Sequence, residues 1–276
     1  MTLRYAYNTN GAANHRLDDA LRLIADAGYD GVALTLDHHH LDPFAPNWER
    51  ETARVAALLD TLSLGSVIET GARYLLDPRQ KHEPTLVSPD PAGRARRVAF
   101  LCRALDVAAR LGSETMSFWA GVPQPAAPPG DAFRWLDDGL ARVLDHAEAC
   151  GIDASFEPEP GMLIETVGDF AGLAQRHPRL RLALDTGHCL VTQDIDPADA
   201  VRACADRIGT VAVEDMRCGD HTHLPFGQGD MDMPAVLNAL TEIGFTRLVC
   251  VELSRESPRA HAAIPEAIAY LRGIGR

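Results

Sequence analysis

Long apolar stretches are missing from this chain of 276 residues. No run approaches the ~20 residues needed to cross a bilayer, and Met1-Thr2-Leu3-Arg4-Tyr5 leads straight into a strand pattern without a charged leader and apolar core. A membrane partner is therefore not expected. Basic residues are outnumbered, 26 against 39 acidic ones for a formal net charge of -13, and they form no run able to track a phosphate backbone, which argues against nucleic acid. Lys81 is the one lysine. The six cysteines include no Cys-x-x-Cys pair and mostly lie in apolar segments, the pattern of buried thiols in a reducing cytoplasm. No glycine-rich phosphate loop follows the first strand pattern; Asn8-Thr9-Asn10-Gly11 stands there instead, which disfavours a dinucleotide-binding open sheet. A soluble cytoplasmic protein is expected.

What is present is a regular alternation. Short apolar runs at 3–8, 31–36, 66–69, 115–119, 152–157, 180–185, 208–213 and 248–252 read as buried strands. Between them lie patterns with the three-to-four spacing of helices that bury one face, such as Leu17-Ala20-Leu21-Ile24 and Val98-Leu101-Leu105-Ala108. Glycines at 28, 112, 151 and 244 mark helix ends. Eight strand-helix units with right-handed crossovers close into one α/β architecture, a single (β/α)8 TIM barrel, and the length suits one domain over residues 1–276.

Four strand patterns end in acids: Phe156-Glu157, Leu184-Asp185, Val213-Glu214-Asp215 and Val251-Glu252. In a parallel barrel these carboxylates converge on one mouth, where hard oxygen donors suit a divalent cation. The competing reading pairs each with an arginine such as Arg181 or Arg247. Three long connections rise from the same face: 71–91, with Arg73, Tyr74, Lys81 and His82; 121–130; and 215–233, with Arg217, His221 and His223. They are expected to shape a pocket.

Together, Phe156-Glu157, Leu184-Asp185-Thr186-Gly187-His188, Gly227-Gln228-Gly229-Asp230-Met231-Asp232 and Val251-Glu252-Leu253 resemble the xylose-isomerase-like barrels, which include sugar epimerases, hydroxypyruvate isomerase, inosose dehydratase and endonuclease IV. The resemblance spans essentially the whole chain. It implies one divalent ion (Mn, Co, Zn or Mg) held by Glu157, Asp185, Glu252 and a fourth ligand. Where the family has a histidine in the seventh strand, this chain has Ala212-Val213-Glu214-Asp215, so the fourth ligand is either Glu214 or, preferred here, His223. His188 would contact a substrate oxygen, and Arg217 a substrate hydroxyl or carbonyl. One or two histidines of the Asp37-His38-His39-His40 run, His39 in the first place, would face the pocket with Glu69, and Trp119 would stack on a sugar ring.

The implied function is a metal-dependent isomerase or epimerase of a ketose-like sugar or cyclitol, with Glu157 and Glu252 as the acid-base pair. The alternatives are a dehydratase that expels a β-hydroxyl after the same proton abstraction, or a non-catalytic metabolite-binding barrel. With a single lysine and no glycine-rich cradle, an unphosphorylated polyol is favoured as the small-molecule partner, although arginines could serve a phosphate. The family's dimers and tetramers make a homo-oligomer an expectation. A DNA-repair role has little support, because Glu69 and Trp119 stand where endonuclease IV carries extra histidines and the surface is acidic.

Overall fold

The computed structural model describes residues 2–125, 127–128 and 130–274. Eight parallel strands close into a barrel: β1 (Arg4–Asn8), β2 (Gly31–Thr35), β3 (Gly65–Glu69), β4 (Thr115–Phe118), β5 (Asp153–Phe156), β6 (Arg181–Asp185), β7 (Ile208–Val213) and, eighth in the ring, β10 (Leu248–Val251), which pairs with both β7 and β1. Two further strands, β8 (Asp215–Arg217) and β9 (Asp220–Leu224), form an antiparallel hairpin after β7. The helices are α1 (Leu17–Ala27), α2 (Trp48–Leu62), α3 (Pro91–Leu111), α4 (Asp131–Cys150), α5 (Val167–Arg176), α6 (Thr186–Thr192), α7 (Pro197–Ala203), α8 (Met233–Glu242) and α9 (Ala260–Ile274). None among the described residues is long and apolar enough to cross a membrane.

Local chemistry explains the boundaries. Asp90-Pro91 and Asp196-Pro197 start α3 and α7, the Asp side chain accepting from the first free N–H groups and the proline setting the first helical turn. Gly28, Gly112 and Gly151 close α1, α3 and α4 in the left-handed conformation. The strands are short and apolar because helices cover their outer face, and β2, β4 and β10 are buried throughout.

Side-chain alternation sorts each strand into an outward set, which joins the main core against the helices, and an inward set. The middle of the barrel is filled by small residues, Ala6, Ala33, Val67 and Cys250, with Leu248 below them. One step further along the same strands the inward residues turn polar: Asn8, Thr35, Glu69, Asp185 and, just past the strand ends, Glu157 and Glu252. At the opposite end, Arg4 pairs with Glu114 at 2.6 Å and Arg247 with Asp153 at 2.5 Å. Arg181 also approaches Asp153, at 3.7 Å. These arginines therefore serve the far end and leave the acids of the mouth unpaired. Of the cysteines, all free, Cys189 and Cys250 are buried as expected, three are half-buried, and Cys218, in the hairpin turn, is exposed.

Candidate active site

The mouth opens into a cavity of about 600 Å³ lined by Glu69, Trp119, Glu157, Asp185, His188, His223 and Glu252, all anticipated, together with Asn10, Glu159, His221 and several loop residues. Asp185 ends β6 and also caps α6. Its Oδ1 accepts from the His188 N–H at 3.1 Å, while Oδ2 has no hydrogen-bond partner and lies 3.4 Å from His188 Nε2. His188 Nδ1 donates to the Pro158 carbonyl at 3.0 Å, which leaves Nε2 facing Asp185 and, at 3.7 Å, Glu159 Oε2. Donor atoms of Glu157, Asp185 and His188 lie within 4.8 Å of one another, as do those of Glu159, His188 and His221. Across the cavity, Asn10 Nδ2 donates to Glu252 Oε1 at 2.8 Å.

Electrostatics follow from this crowding of acids with no lysine or arginine in ion-pair contact with Glu157, Asp185 or Glu252 among the described residues. Burial first, then the charges of Glu159, Glu252 and Asp185, push the Glu157 carboxyl well above the usual carboxylate range. Burial, then Asp185 and Glu69, carry Glu252 up to about 8. For Asp185 burial works in the same direction, but His188 and His223 outweigh it and hold the group low. His188 is the converse: burial opposes its charge, and Asp185 and Glu159 prevail and raise it. His223 is lowered to about 4, chiefly by burial, and its Nδ1 has no partner.

The two options for the missing strand histidine are placed differently. Ala212 occupies the position on β7 beside Asp185. Glu214 is fully buried next to Asp185 but packs under Gly187, outside the cavity, with neither oxygen hydrogen-bonded. His223 reaches the cavity because 215–233 is an ordered hairpin rather than a loose loop, and β9 alternation turns His221 and His223 to the same side. Asp215 secures its base, accepting from Gly227 N at 2.7 Å and Met231 N at 3.0 Å. A Cβ on Gly229 would fall 2.3 Å from Asp215 Oδ1, so glycine is required there.

Two expectations are corrected. Arg217 is exposed and does not line the cavity: a register irregularity between Asp215 and Arg217 breaks the alternation that would have turned it inward. His39 is also exposed, lining a separate groove with Arg16 and Asp42. The chain turns sharply after β2, so that His38 pairs with Asp37 at 2.8 Å and His40 tucks in to the His15 carbonyl at 2.9 Å. Trp119 lines the cavity as expected, with Arg97 over one face of its ring at 4.2 Å and His82 perpendicular to it at 5.4 Å. Among the long connections, 121–130 supplies no lining residue among those described, whereas 71–90 supplies Arg73, Lys81 and His82.

Glu159 and Asn10 were not anticipated. The doubled acid of Glu157-Pro158-Glu159 was the available signal for the first; for the second, an asparagine just past a strand end has no distinctive signature.

Comparison with known proteins agrees with the barrel fold. The L-ribulose-5-phosphate 3-epimerase UlaE of Salmonella paratyphi A is 26% identical over 252 residues, covering 89% of this chain and 86% of that protein. Among solved structures, a D-allulose 3-epimerase from Methylomonas sp. in complex with D-allulose superposes with a TM-score of 0.77 at 20% identity, over 98% of this chain and 96% of that one. The IolI protein with a bound zinc atom gives 0.77 at 18% identity, over 99% and 98%. The model of the xylose isomerase-like TIM barrel family matches residues 21–274, and the chain belongs to that family.

Proposed function

We propose that this protein is a divalent-metal-dependent epimerase or isomerase of a ketose-like sugar. The observation that carries the reading is the convergence of Glu157, Asp185 and Glu252 on one mouth with no lysine or arginine within ion-pair distance of them among the described residues. Such a cluster is unstable unless protons or a cation compensate it. The unpartnered buried atoms Asp185 Oδ2 and His223 Nδ1 fit the second solution, since both are donors that no protein group satisfies. Glu157, Asp185, His223 and Glu252 would hold the ion, and three carboxylates with one imidazole suit Mn, Co, Zn or Mg. When bound, a divalent ion supplies Lewis acidity that makes a C–H next to a carbonyl easier to deprotonate.

The chain's own residues account for the rest. Strands β5 and β10 stand three places apart in the ring of eight, so Glu157 and Glu252 flank the cavity from different walls, as epimerisation requires when a proton leaves one face of a carbon and returns to the other. Burial and neighbouring acids raise the proton affinity of both carboxyls, that of Glu252 to about 8, as suits groups that take up and release a proton. Asn10 fixes Glu252 by its hydrogen bond to Oε1 and leaves Oε2 for the substrate. His188, its proton affinity raised by Asp185 and Glu159 against the effect of burial and its ring tethered by Pro158, is placed to donate to a substrate oxygen from Nε2, with Glu159 beside it. The relatives' action on L-ribulose 5-phosphate and D-allulose points to C3 of a 2-ketose as the reacting carbon.

The test is turnover of 2-ketoses in deuterium oxide with Mn²⁺ supplied. Deuterium at C3 together with appearance of the C3 epimer is expected; absence of both across ketopentoses and ketohexoses overturns the proposal. A rising enone absorbance in place of the epimer would assign the site to dehydration.

A further inference from the structure

The cavity is acidic at its floor and cationic at its rim. Arg73, Lys81 and Arg255 line the opening, and none has a carboxylate within 4.0 Å among the described residues. Arginines of the outer layer are commonly matched, as in Arg54–Asp18, Arg110–Glu49, Arg179–Asp145 and Arg202–Glu242. In a chain with 39 acids to 26 bases, the lone lysine and two arginines gather around one opening with no carboxylate in ion-pair contact among the described residues, although Glu69 and Glu159 deeper in the cavity feel Arg73 and Lys81, and this points to an anion brought from outside.

These cations are held in place. The His82 N–H donates to the Arg73 carbonyl at 2.5 Å and its Nδ1 to the Gly71 carbonyl at 2.8 Å, zipping the two limbs of the 71–90 connection together. Lys81, the neighbour of His82 in the chain, is thereby brought beside Arg73. The His82 ring meets Trp119 edge-on, and the fully buried Arg97 lies over that same indole, so the connection is anchored to the end of β4. Burial, reinforced by Lys81 and Arg97, lowers His82 to about 4, which keeps the ring neutral and structural at working pH. Arg73 Nη2 donates to the Asn10 carbonyl at 3.3 Å, and Asn10 in turn holds Glu252. One residue thus separates the rim cations from the acid-base machinery, a span that a five- or six-carbon sugar can bridge.

We infer that the substrate carries an anionic group, a phosphate monoester or a carboxylate, at the end remote from the epimerised carbon, and that Arg73, Lys81 and Arg255 bind it. This deepens the epimerase reading and rests on it for the identity of the reacting end. It also replaces the expectation of an unphosphorylated polyol: a glycine-rich cradle is unnecessary where guanidinium and ammonium groups from two loops converge.

The experiment compares L-ribulose, L-ribulose 5-phosphate and D-fructuronate, by kcat/KM and by calorimetric binding, in the wild type and in Arg73→Gln, Lys81→Met and the double variant, with melting curves confirming that each folds. A preference for one anionic sugar over the neutral ketose of about 30-fold or more is expected. It should fall about tenfold in each single variant and weaken as salt is raised. Which anion is preferred separates phosphate from carboxylate. Equal use and equal binding of all three sugars, or a preference that survives in the double variant, overturns the inference. If no sugar is turned over or deuterated, the epimerase reading fails, while the binding ratio still decides the anion site.

Discussion

Glu157 and Glu252 are chemically alike, yet neither can be replaced by the other, because each approaches the cavity from its own strand. Glu157→Gln and Glu252→Gln should each lower kcat by about 10²- to 10⁴-fold, followed by NMR detection of the epimer. A variant retaining more than a tenth of wild-type turnover would move proton transfer elsewhere. Arg217 offers the opposite case. It faces solvent on β8, so Arg217→Gln is expected to leave KM and Tm within the scatter of the wild type, and a marked rise in KM would show that the hairpin reorganises around substrate. At this scale the strand-end acids were legible because a buried apolar run that stops at a carboxylate leaves few other arrangements. Glu159 and Asn10 were not, because the first depends on how the Pro158 turn folds and the second sits just past a strand end, and no local pattern records either.

The elements show where the sequence speaks plainly and where it is silent. All eight barrel strands follow from short apolar runs, and their covering helices from period-3.6 patterns with glycine stops, as at Gly112; the Asp-Pro starts of α3 and α7 are what the structure adds. The β8–β9 hairpin was hidden because Asp220-His221-Thr222-His223-Leu224 is polar and half-exposed, lacking the apolar alternation by which a strand is recognised. The start of α6 carries a further constraint. A Cβ on Gly187 would lie 2.1 Å from Glu214 Oε1 and 2.8 Å from Met216 Cε, both enclosed. Gly187→Ala should therefore cost about 1–3 kcal/mol by overpacking, and should also lower activity by displacing Asp185 and His188. Calorimetry paired with an activity assay checks this; a Tm and kcat equal to the wild type would mean that Glu214 can step aside at no cost.

For the whole molecule, the buried acids tie stability to pH. Glu252, at about 8 in the folded protein against roughly 4.3 when unfolded, binds a proton more tightly in the native state. Its contribution to stability is complete below the unfolded value and is lost as pH rises through 8. Glu157 and Glu214, also raised, act with the same sign. His82 and His223, lowered to about 4, act oppositely, their stabilisation growing as pH rises from 4 to about 6.5 and constant above it. Above pH 7 the two lowered histidines no longer change the balance, while the raised carboxylates and His188, also raised, act with one sign, so the Tm of the chelator-treated protein should fall between pH 7 and pH 9, and saturating Mn²⁺ should remove most of the decline. A Tm that is flat with pH in the chelated protein would contradict the crowding of acids described above.

His221 and His223 share one arm, and the antiparallel partner of that arm is the three-residue strand β8. On the proposed reading, a cation held by the barrel on one side and by this arm on the other would act as a clasp between the two. Its release would then require the arm to peel back, so the rate of stripping by a chelator should track hydrogen–deuterium exchange across 220–224. Cutting β8–β9 pairing should speed both together.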